Sequence, residues 1–256
     1  MTLRGLLRRL RMVAYVAAFP VYSLLSPRTG FTVFYRRAGL WYARSRGRSF
    51  RVMEPHLRAL EYFRHFVPNS GAVVFDVGGE LGFETAQFAD FVGAAGKVFV
   101  FECLPDHVRR LERLAEQNPQ VTVVNRACWN ADTTLEFFLG NTAGSNTAVP
   151  DAQGQRGQSL ANKEASVLLV KAQPLDQLWK ELHGGRPVDF LKMDIEGAEY
   201  EALDGATEML RATRFAVIAA YHIRDGIPTA ERVNTVLKAS GFNTRIEENL
   251  HVYAWR

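Results

Sequence analysis

At 256 residues, with 47% hydrophobic and 23% charged side chains, the chain can build one sizeable core plus a modest extension, and it is not disordered, collagen-like or many-span membrane in composition. Its two cysteines, Cys103 and Cys128, stand far apart in no ligand spacing, which excludes a disulfide scaffold and a cysteine zinc site and fits a reducing, cytoplasmic setting. The net charge of +4 hides an asymmetry: residues 1–53 hold eleven arginines and no acid, while the rest hold 20 basic and 27 acidic side chains, so a +11 head precedes a −7 body.

In that head, Leu3, Leu6, Leu7, Leu10, Val13, Ala14 and Ala17 recur at helical spacing, with Arg4, Arg8 and Arg11 on another side, the pattern of a basic amphipathic helix. The apolar run from Met12 to Leu25 is 14 residues long and broken by Pro20 and Ser23, short of the roughly 20 residues a spanning helix needs. A signal peptide would show the same Arg-rich start and short apolar stretch, but no convincing small-x-small cleavage site followed by a secreted-type cysteine pattern is present. Tyr15, Phe19, Tyr22, Phe31, Phe34, Tyr35, Trp41 and Tyr42 are interleaved with Arg36, Arg37, Arg44, Arg46, Arg48 and Arg51. That mixture suits an anionic membrane surface, where rings sit at headgroup depth and guanidinium groups meet phosphates. Residues 1–53 therefore read as a helical extension that either rests peripherally on the inner face of a membrane, covers the catalytic domain, or forms a homodimer contact. No recognised RNA or DNA module accompanies the arginines, which disfavours a nucleic-acid partner.

Residues 54–256 read as the second domain. A helical pattern from Glu54 to Val67 ends at the breaker cluster Pro68-Asn69-Ser70-Gly71, where the compact fold begins. Val73-Val74-Phe75 predicts a strand, Leu81 to Phe91 a helix, Val98 to Phe101 a second strand, Pro105 to Gln117 a second helix, and Val121 to Val124 a third strand. Thr133 to Leu139 and Val167 to Val170 flank a Gly-, Ser-, Asn- and Gln-rich segment, residues 140–165, that reads as a substrate lid or as a surface loop. Strands are then expected at Val188 to Met193, Phe215 to Ala220, Phe242 to Ile246 and Val252 to Trp255, with helices near 197–210 and 229–240. This alternation predicts an α/β, doubly wound, Rossmann-like parallel sheet with helices on both faces.

The first strand runs through Asp76-Val77-Gly78-Gly79-Glu80-Leu81-Gly82 into a helix, a geometry in which glycines allow a sharp turn and close approach of backbone to ligand. Twenty residues after Gly82, Glu102 ends the second strand, where a carboxylate can accept hydrogen bonds from ribose hydroxyls. A dinucleotide loop would read Gly-x-Gly-x-x-Gly, and the acids Asp76 and Glu80 would repel a pyrophosphate. S-adenosylmethionine (SAM), which carries an ammonium and a sulfonium, suits an acidic loop.

The blocks Val74-Phe75-Asp76-Val77-Gly78-Gly79-Glu80-Leu81-Gly82, Val100-Phe101-Glu102-Cys103-Leu104-Pro105, Pro174-Leu175-Asp176 and Asp189-Phe190-Leu191-Lys192-Met193-Asp194-Ile195-Glu196-Gly197-Ala198-Glu199 together resemble the FkbM family of SAM-dependent methyltransferases. The resemblance spans roughly residues 70–245. It implies a class I methyltransferase fold, a seven-stranded mostly parallel sheet with one antiparallel edge strand, and O-methylation of a hydroxyl. By the same resemblance, Asp76 and the backbone through Gly78, Gly79 and Gly82 would hold the methionine moiety, Glu102 the ribose, and the turn Ala127-Cys128-Trp129-Asn130 would lie along the adenine. Family members commonly have Ala and Asn where this chain has Gly79 and Glu80, and Pro where it has Cys103.

Methyl transfer to an alcohol is an in-line displacement that needs alignment and a base. Strand alternation puts Lys192 and Asp194 on one face at a strand end, and Glu196 and Glu199 follow three apart at the start of a helix. These acids either supply a base, bind a hard divalent metal, or stabilise the helix start. The next parallel strand ends in Ala219-Ala220-Tyr221-His222, so His222 is expected as the catalytic base with Asp194 assisting. His56, His65, His107, His183 and His251 read as surface or packing residues. The expected activity is SAM-dependent O-methylation of a sugar, a lipid-linked glycan or a natural-product hydroxyl. The alternatives are an RNA methyltransferase using the basic head and a non-catalytic, membrane-associated SAM-binding protein.

Overall fold

A computed structural model describes residues 21–26, 30–37, 40–45, 48–52, 61–139, 146–149 and 167–256. The chain divides into two compact units, Met1–Val67 and Pro68–Arg256. The second begins at the Pro68 breaker cluster, later than the 53/54 boundary drawn from the charge asymmetry.

The described part of the first unit is an antiparallel meander of β1 (Val21–Ser26), β2 (Gly30–Arg37), β3 (Leu40–Ser45) and β4 (Arg48–Val52), paired in that order. This corrects the expectation of a wholly helical extension. Arg37 pairs with Leu40 and Ser45 with Arg48, so Ala38-Gly39 and Arg46-Gly47 are the two-residue connections, and X-Gly pairs at such spacing favour hairpins. Phe31, Val33 and Tyr35 alternate with period two, and aromatic and β-branched side chains favour strands. The expected helix from Leu3 to Ala17 lies outside the described residues.

In the second unit the chain runs through β5 (Val73–Val77), α1 (Phe83–Val92), β6 (Lys97–Glu102), α2 (Pro105–Glu116), β7 (Val121–Asn125), β8 (Ala127–Cys128), β9 (Thr133–Phe138) and β10 (Val167–Gln173). It continues through α3 (Leu175–His183), β11 (Val188–Met193), α4 (Glu199–Asp204), α5 (Thr207–Arg211), β12 (Thr213–Ala219), β13 (Ile223–Arg224), β14 (Ile227–Pro228), α6 (Ala230–Ala239), β15 (Asn243–Ile246) and β16 (His251–Trp255). The central sheet has seven strands in the order β7-β6-β5-β11-β12-β16-β15. All are parallel except β16, which runs against both of its neighbours. The reversed strand, expected at the edge, therefore lies one place in from it. The cause is the short connection after β15: Leu250 N–H bonds to the Glu247 carbonyl at 2.8 Å, a tight turn that can only return the chain antiparallel.

The inner strands are apolar along their length because helices cover both faces. Val74 and Phe75 on β5, Val98 and Val100 on β6, and Leu191 and Met193 on β11 are almost wholly buried. Phe75 sits 5.1 Å from Phe99 and 5.3 Å from Phe101, centroid to centroid. Fully burying each such ring stabilises the fold by roughly 1.5–3 kcal/mol. β9 and β10 pair antiparallel, and β8 joins β10 in a second, three-stranded sheet.

One block of the family resemblance is explained by this packing alone. The Asp176 carboxylate accepts the N–H groups of Glu208 and Met209 at 3.0 and 2.7 Å and so caps α5. The sheet order reverses between β5 and β11, and a crevice at their carboxyl ends is where an open α/β sheet binds ligands.

Candidate active site

Gly78, at φ 84°, lies where β5 meets the end of β11, and a β-carbon there would overlap the Asp194 carbonyl. Gly79 and Gly82 are buried, and their missing side chains make room for Val100, Leu111 and Leu114. Gly79 and Gly82 are thus required by packing against β6 and α2, and Gly82 is also the N-cap of α1. Glu80 has φ 45°, a left-handed backbone that asparagine, common there in the family, tolerates better than glutamate.

Asp76 corrects an expectation. It is wholly buried, one oxygen accepts the Thr85 hydroxyl at 2.6 Å, and the other lies 3.2 Å from the Lys192 ammonium. It therefore holds Lys192 rather than the methionine moiety. Lys192 also donates to the Gly78 carbonyl and ties the glycine loop to β11. Burial disfavours the Lys192 charge, but Asp76, Asp194 and Glu84 outweigh that and raise its pKa.

Glu102 ends β6 as expected. Its Oε1 accepts the N–H groups of Cys103 and Leu104 at 2.7 and 2.9 Å, and its Oε2 accepts that of Glu80 at 2.9 Å. A carboxylate has about four lone-pair sites, so Oε2 retains one for a ribose hydroxyl. The same carboxylate fixes the left-handed Glu80 turn. His107, read from sequence as a surface or packing residue, lies with Nδ1 3.6 Å from Glu102 Oε2. The Glu102 carboxylate raises the His107 pKa against the smaller opposing effect of burial, with Glu80 and Asp106 adding to it. A histidine whose folded pKa is raised stabilises the fold fully below its ordinary value of about 6.5 and loses that stabilisation as pH rises through the folded value. We expect His107→Gln to melt below wild type at pH 6 by under about 1 kcal/mol, with the gap closing in alkali. Melting curves from pH 5.5 to 9 check this, and a gap that widens with pH would refute it.

Cys128 is buried in the core cluster, and burial pushes its thiol pKa up. It therefore does not border the crevice, which corrects its expected place along the adenine. Trp129 is half-buried, and its N–H bonds to the Gln173 carbonyl at 3.0 Å.

At the carboxyl ends of β11 and β12 a cluster of acids surrounds His222. Glu199 is wholly buried, and its Oε1 accepts the N–H groups of Ile195 and Gly197 at 3.3 and 3.2 Å. His222 Nδ1 stands 3.0 Å from that oxygen, while Nε2 stands 3.7 Å from Asp194 Oδ1 and 3.5 Å from Glu196 Oε2. Burial disfavours the imidazolium, but Glu199, Glu196 and Asp194 overcome it and push the His222 pKa up to about 11. Without a bound cation, the surrounding acids thus favour the protonated ring over the neutral base expected from the sequence. Asp194 and Glu196 are the more open groups, with side chains 20% and 24% exposed.

Sequence reasoning did not assign roles to Tyr221 and Thr147. The Tyr221 phenol donates to both Asp194 oxygens at 3.3 and 3.4 Å, and its ring packs 4.4 Å from His222. Tyr221 is 41% exposed as a residue, but partial desolvation of its phenol and the Asp194 charge raise its pKa, so it stays a donor. Thr147, wholly buried, donates to the Glu196 carbonyl at 2.8 Å and exchanges backbone bonds with Phe138. It thereby ties the described part of the polar middle segment to the left-handed Glu196 turn at φ 54°. Strand-end position was the available signal for Tyr221; nothing in the sequence around Thr147 marks it.

A 3-2-1-4-5-7-6 sheet order, counting the seven strands in chain order, with a carboxylate ending the second and acids at the strand ends, defines a class I methyltransferase fold. Residues 76–244 match the FkbM methyltransferase domain, and the chain belongs to this family of SAM-dependent methyltransferases. It is 29% identical over 209 residues to the AMB antimetabolite synthetase AmbE of Pseudomonas aeruginosa, covering 70% of this chain and 10% of that protein. It is 25% identical over 146 residues to the hexuronic acid methyltransferase AglP of Haloferax volcanii, covering 57% of this chain and 54% of that one. The chain thus spans about a tenth and about half of these curated relatives. An FkbM methyltransferase from Methylobacillus flagellatus superimposes with a TM-score of 0.52 at 18% identity, over 77% of this chain and 47% of that one. Fibrillarin from Aeropyrum pernix, with natively bound SAM, superimposes with a TM-score of 0.51 at 13% identity, over 92% and 94%.

The residues present fit SAM. Glu102 Oε2 has room for a ribose hydroxyl. No side chain caps α1, so its first-turn N–H groups suit the methionine carboxylate. Among the described residues no helix is long and apolar enough to cross a membrane.

Proposed function

We propose that the chain methylates a hydroxyl oxygen of a sugar, free, lipid-linked or within a natural product. The observation that carries this reading is Asp194, a partly open carboxylate at the mouth of a crevice that suits SAM. AglP, a hexuronic acid methyltransferase by name, supports a sugar acceptor.

Bound SAM supplies an electrophilic methyl on its sulfonium. Glu102 and the first turn of α1 would hold the cofactor by its ribose and carboxylate, and S-adenosylhomocysteine would leave once the methyl is transferred. Asp194 accepts the acceptor hydroxyl proton as the oxygen attacks, and the Tyr221 phenol orients Asp194 through its hydrogen bonds. His222 lies behind them, enclosed by acids. Extract incubated with the enzyme and methyl-labelled SAM, then split into glycan, lipid, small-molecule and RNA pools, tests the reading. Label in the glycan or glycolipid pool is expected; label confined to RNA would favour the nucleic-acid alternative, and none in any pool the non-catalytic one.

Two further results are expected. Glu102→Gln keeps the side-chain shape but weakens a charge-assisted acceptor, so SAM affinity by calorimetry should fall by roughly 1–3 kcal/mol. An unchanged affinity would remove Glu102 from the cofactor site. For residues 1–53 we infer attachment to anionic membranes, since each surface-proximal arginine contributes roughly 1 kcal/mol there. The full chain should float with anionic liposomes more than with neutral ones, and a chain starting at Glu54 should not; equal flotation would leave a cover or dimer role.

A further inference from the structure

We propose that Asp194, Glu199 and His222 bind one divalent first-row cation, of the Mn2+ or Zn2+ class, at the mouth of the crevice. Each offers one ligand atom, and the three atoms lie within 4.8 Å of one another. Bonds of about 2.0–2.2 Å to a metal bring ligand atoms somewhat closer together than that. Modest side-chain rotations, easiest at the partly open Asp194, close the gap.

A cluster of acids alone would say little, but the hydrogen bonding here points to a missing positive partner. Glu199 is wholly buried, yet its Oε2 has no hydrogen-bond partner. His222 is 6% exposed, and neither ring nitrogen makes a hydrogen bond, although carboxylates stand within 3.0–3.7 Å of both. Buried polar atoms are normally paired. A cation held by Glu199 Oε2, Asp194 and one nitrogen of a neutral His222 would satisfy Glu199 Oε2 and that nitrogen, and the other ring N–H, at Nδ1, then faces Glu199 Oε1 at 3.0 Å.

The surroundings suit ligands already held in place. Glu199 Oε1 is fixed by two backbone N–H groups, which leaves Oε2 for the ion, and Tyr221 donates to Asp194. Such supporting bonds orient ligands in metal sites. Two carboxylates neutralise a divalent ion, and a mixed oxygen and imidazole set favours Mn2+ or Zn2+ over sites built wholly from oxygen or from thiolate. The ion's use, holding the acceptor oxygen and making its proton more acidic, rests on the acceptor reading above; its binding does not.

The test uses the tag-free full chain, stripped with chelator and titrated with MnCl2, followed by calorimetry and by loss of the free Mn2+ paramagnetic signal. One Mn2+ per chain is expected, displaced by Zn2+. Asp194→Asn and Glu199→Gln should each weaken binding about tenfold or more. Glu199→Gln risks misfolding because that residue holds the loop, so Asp194→Asn, checked by circular dichroism, is the deciding variant. No saturable Mn2+ binding by wild type, or equal binding by folded Asp194→Asn, would overturn the site. Turnover is not the readout, so Mn2+ bound without sugar methylation counts against the acceptor, whereas methylation by stripped enzyme that binds no Mn2+ counts against the cation.

Discussion

Asp194→Asn should lower turnover by about a hundredfold or more while SAM affinity stays close to wild type. General-base catalysis contributes about a hundredfold to ten-thousandfold, and an amide of the same shape cannot take the proton. The cofactor contacts assigned here lie on β6 and at the start of α1, so the loss should fall on kcat and spare the dissociation constant for SAM. Tyr221→Phe, which removes the donor to Asp194 but leaves the carboxylate, should cost less. Single-turnover methyl transfer at saturating SAM measures both. A wild-type rate in Asp194→Asn would remove it from the chemistry, and a large loss of SAM binding would move it to the cofactor site.

The parts of the fold legible in the sequence were those whose signal is local. Val73-Val74-Phe75, Val98 to Phe101 and Val188 to Met193 are short apolar runs because both faces of β5, β6 and β11 are covered. Between Val21 and Val52 the strands were missed because arginines among aromatics are consistent with either period, and the Ala38-Gly39 and Arg46-Gly47 pairs in the sequence carried the hairpin signal that charge obscured. In the site, Asp194 and His222 were visible as polar groups at strand ends. Their state was not, because it depends on neighbours from three elements: Glu199 and Glu196 around His222, and Tyr221 over both. Asp76 shows the opposite error. A carboxylate in a cofactor motif was taken to touch the ligand, whereas its partner, Lys192, lies 116 residues away along the chain and is met only across the β5–β11 pairing.

That buried pair supports the largest expected effect on stability. Lys192→Met should destabilise the second unit by about 3–5 kcal/mol, because the methionine nearly fills the same volume but leaves the Asp76 carboxylate charged and buried without its cation. For a domain of this size the melting temperature should fall by about 6–20 °C. The lysine is 3% exposed and the aspartate fully buried, so solvent screening offers little relief, and the bond to the Gly78 carbonyl goes as well. Pairing Lys192→Met with Asp76→Asn removes the stranded charge while an amide oxygen still accepts the Thr85 hydroxyl. The double variant should therefore recover part of the loss, a non-additivity that a double-mutant cycle reads directly. The pH dependence follows from the raised Lys192 pKa. Stability from a raised lysine is fully present below its ordinary value of about 10.5 and is lost only as pH climbs through the folded value. The deficit of Lys192→Met should thus be flat from pH 6 to 9. A variant that melts with wild type, or a double variant worse than the sum of the two, would show that the Asp76–Lys192 contact does not hold the glycine loop to β11.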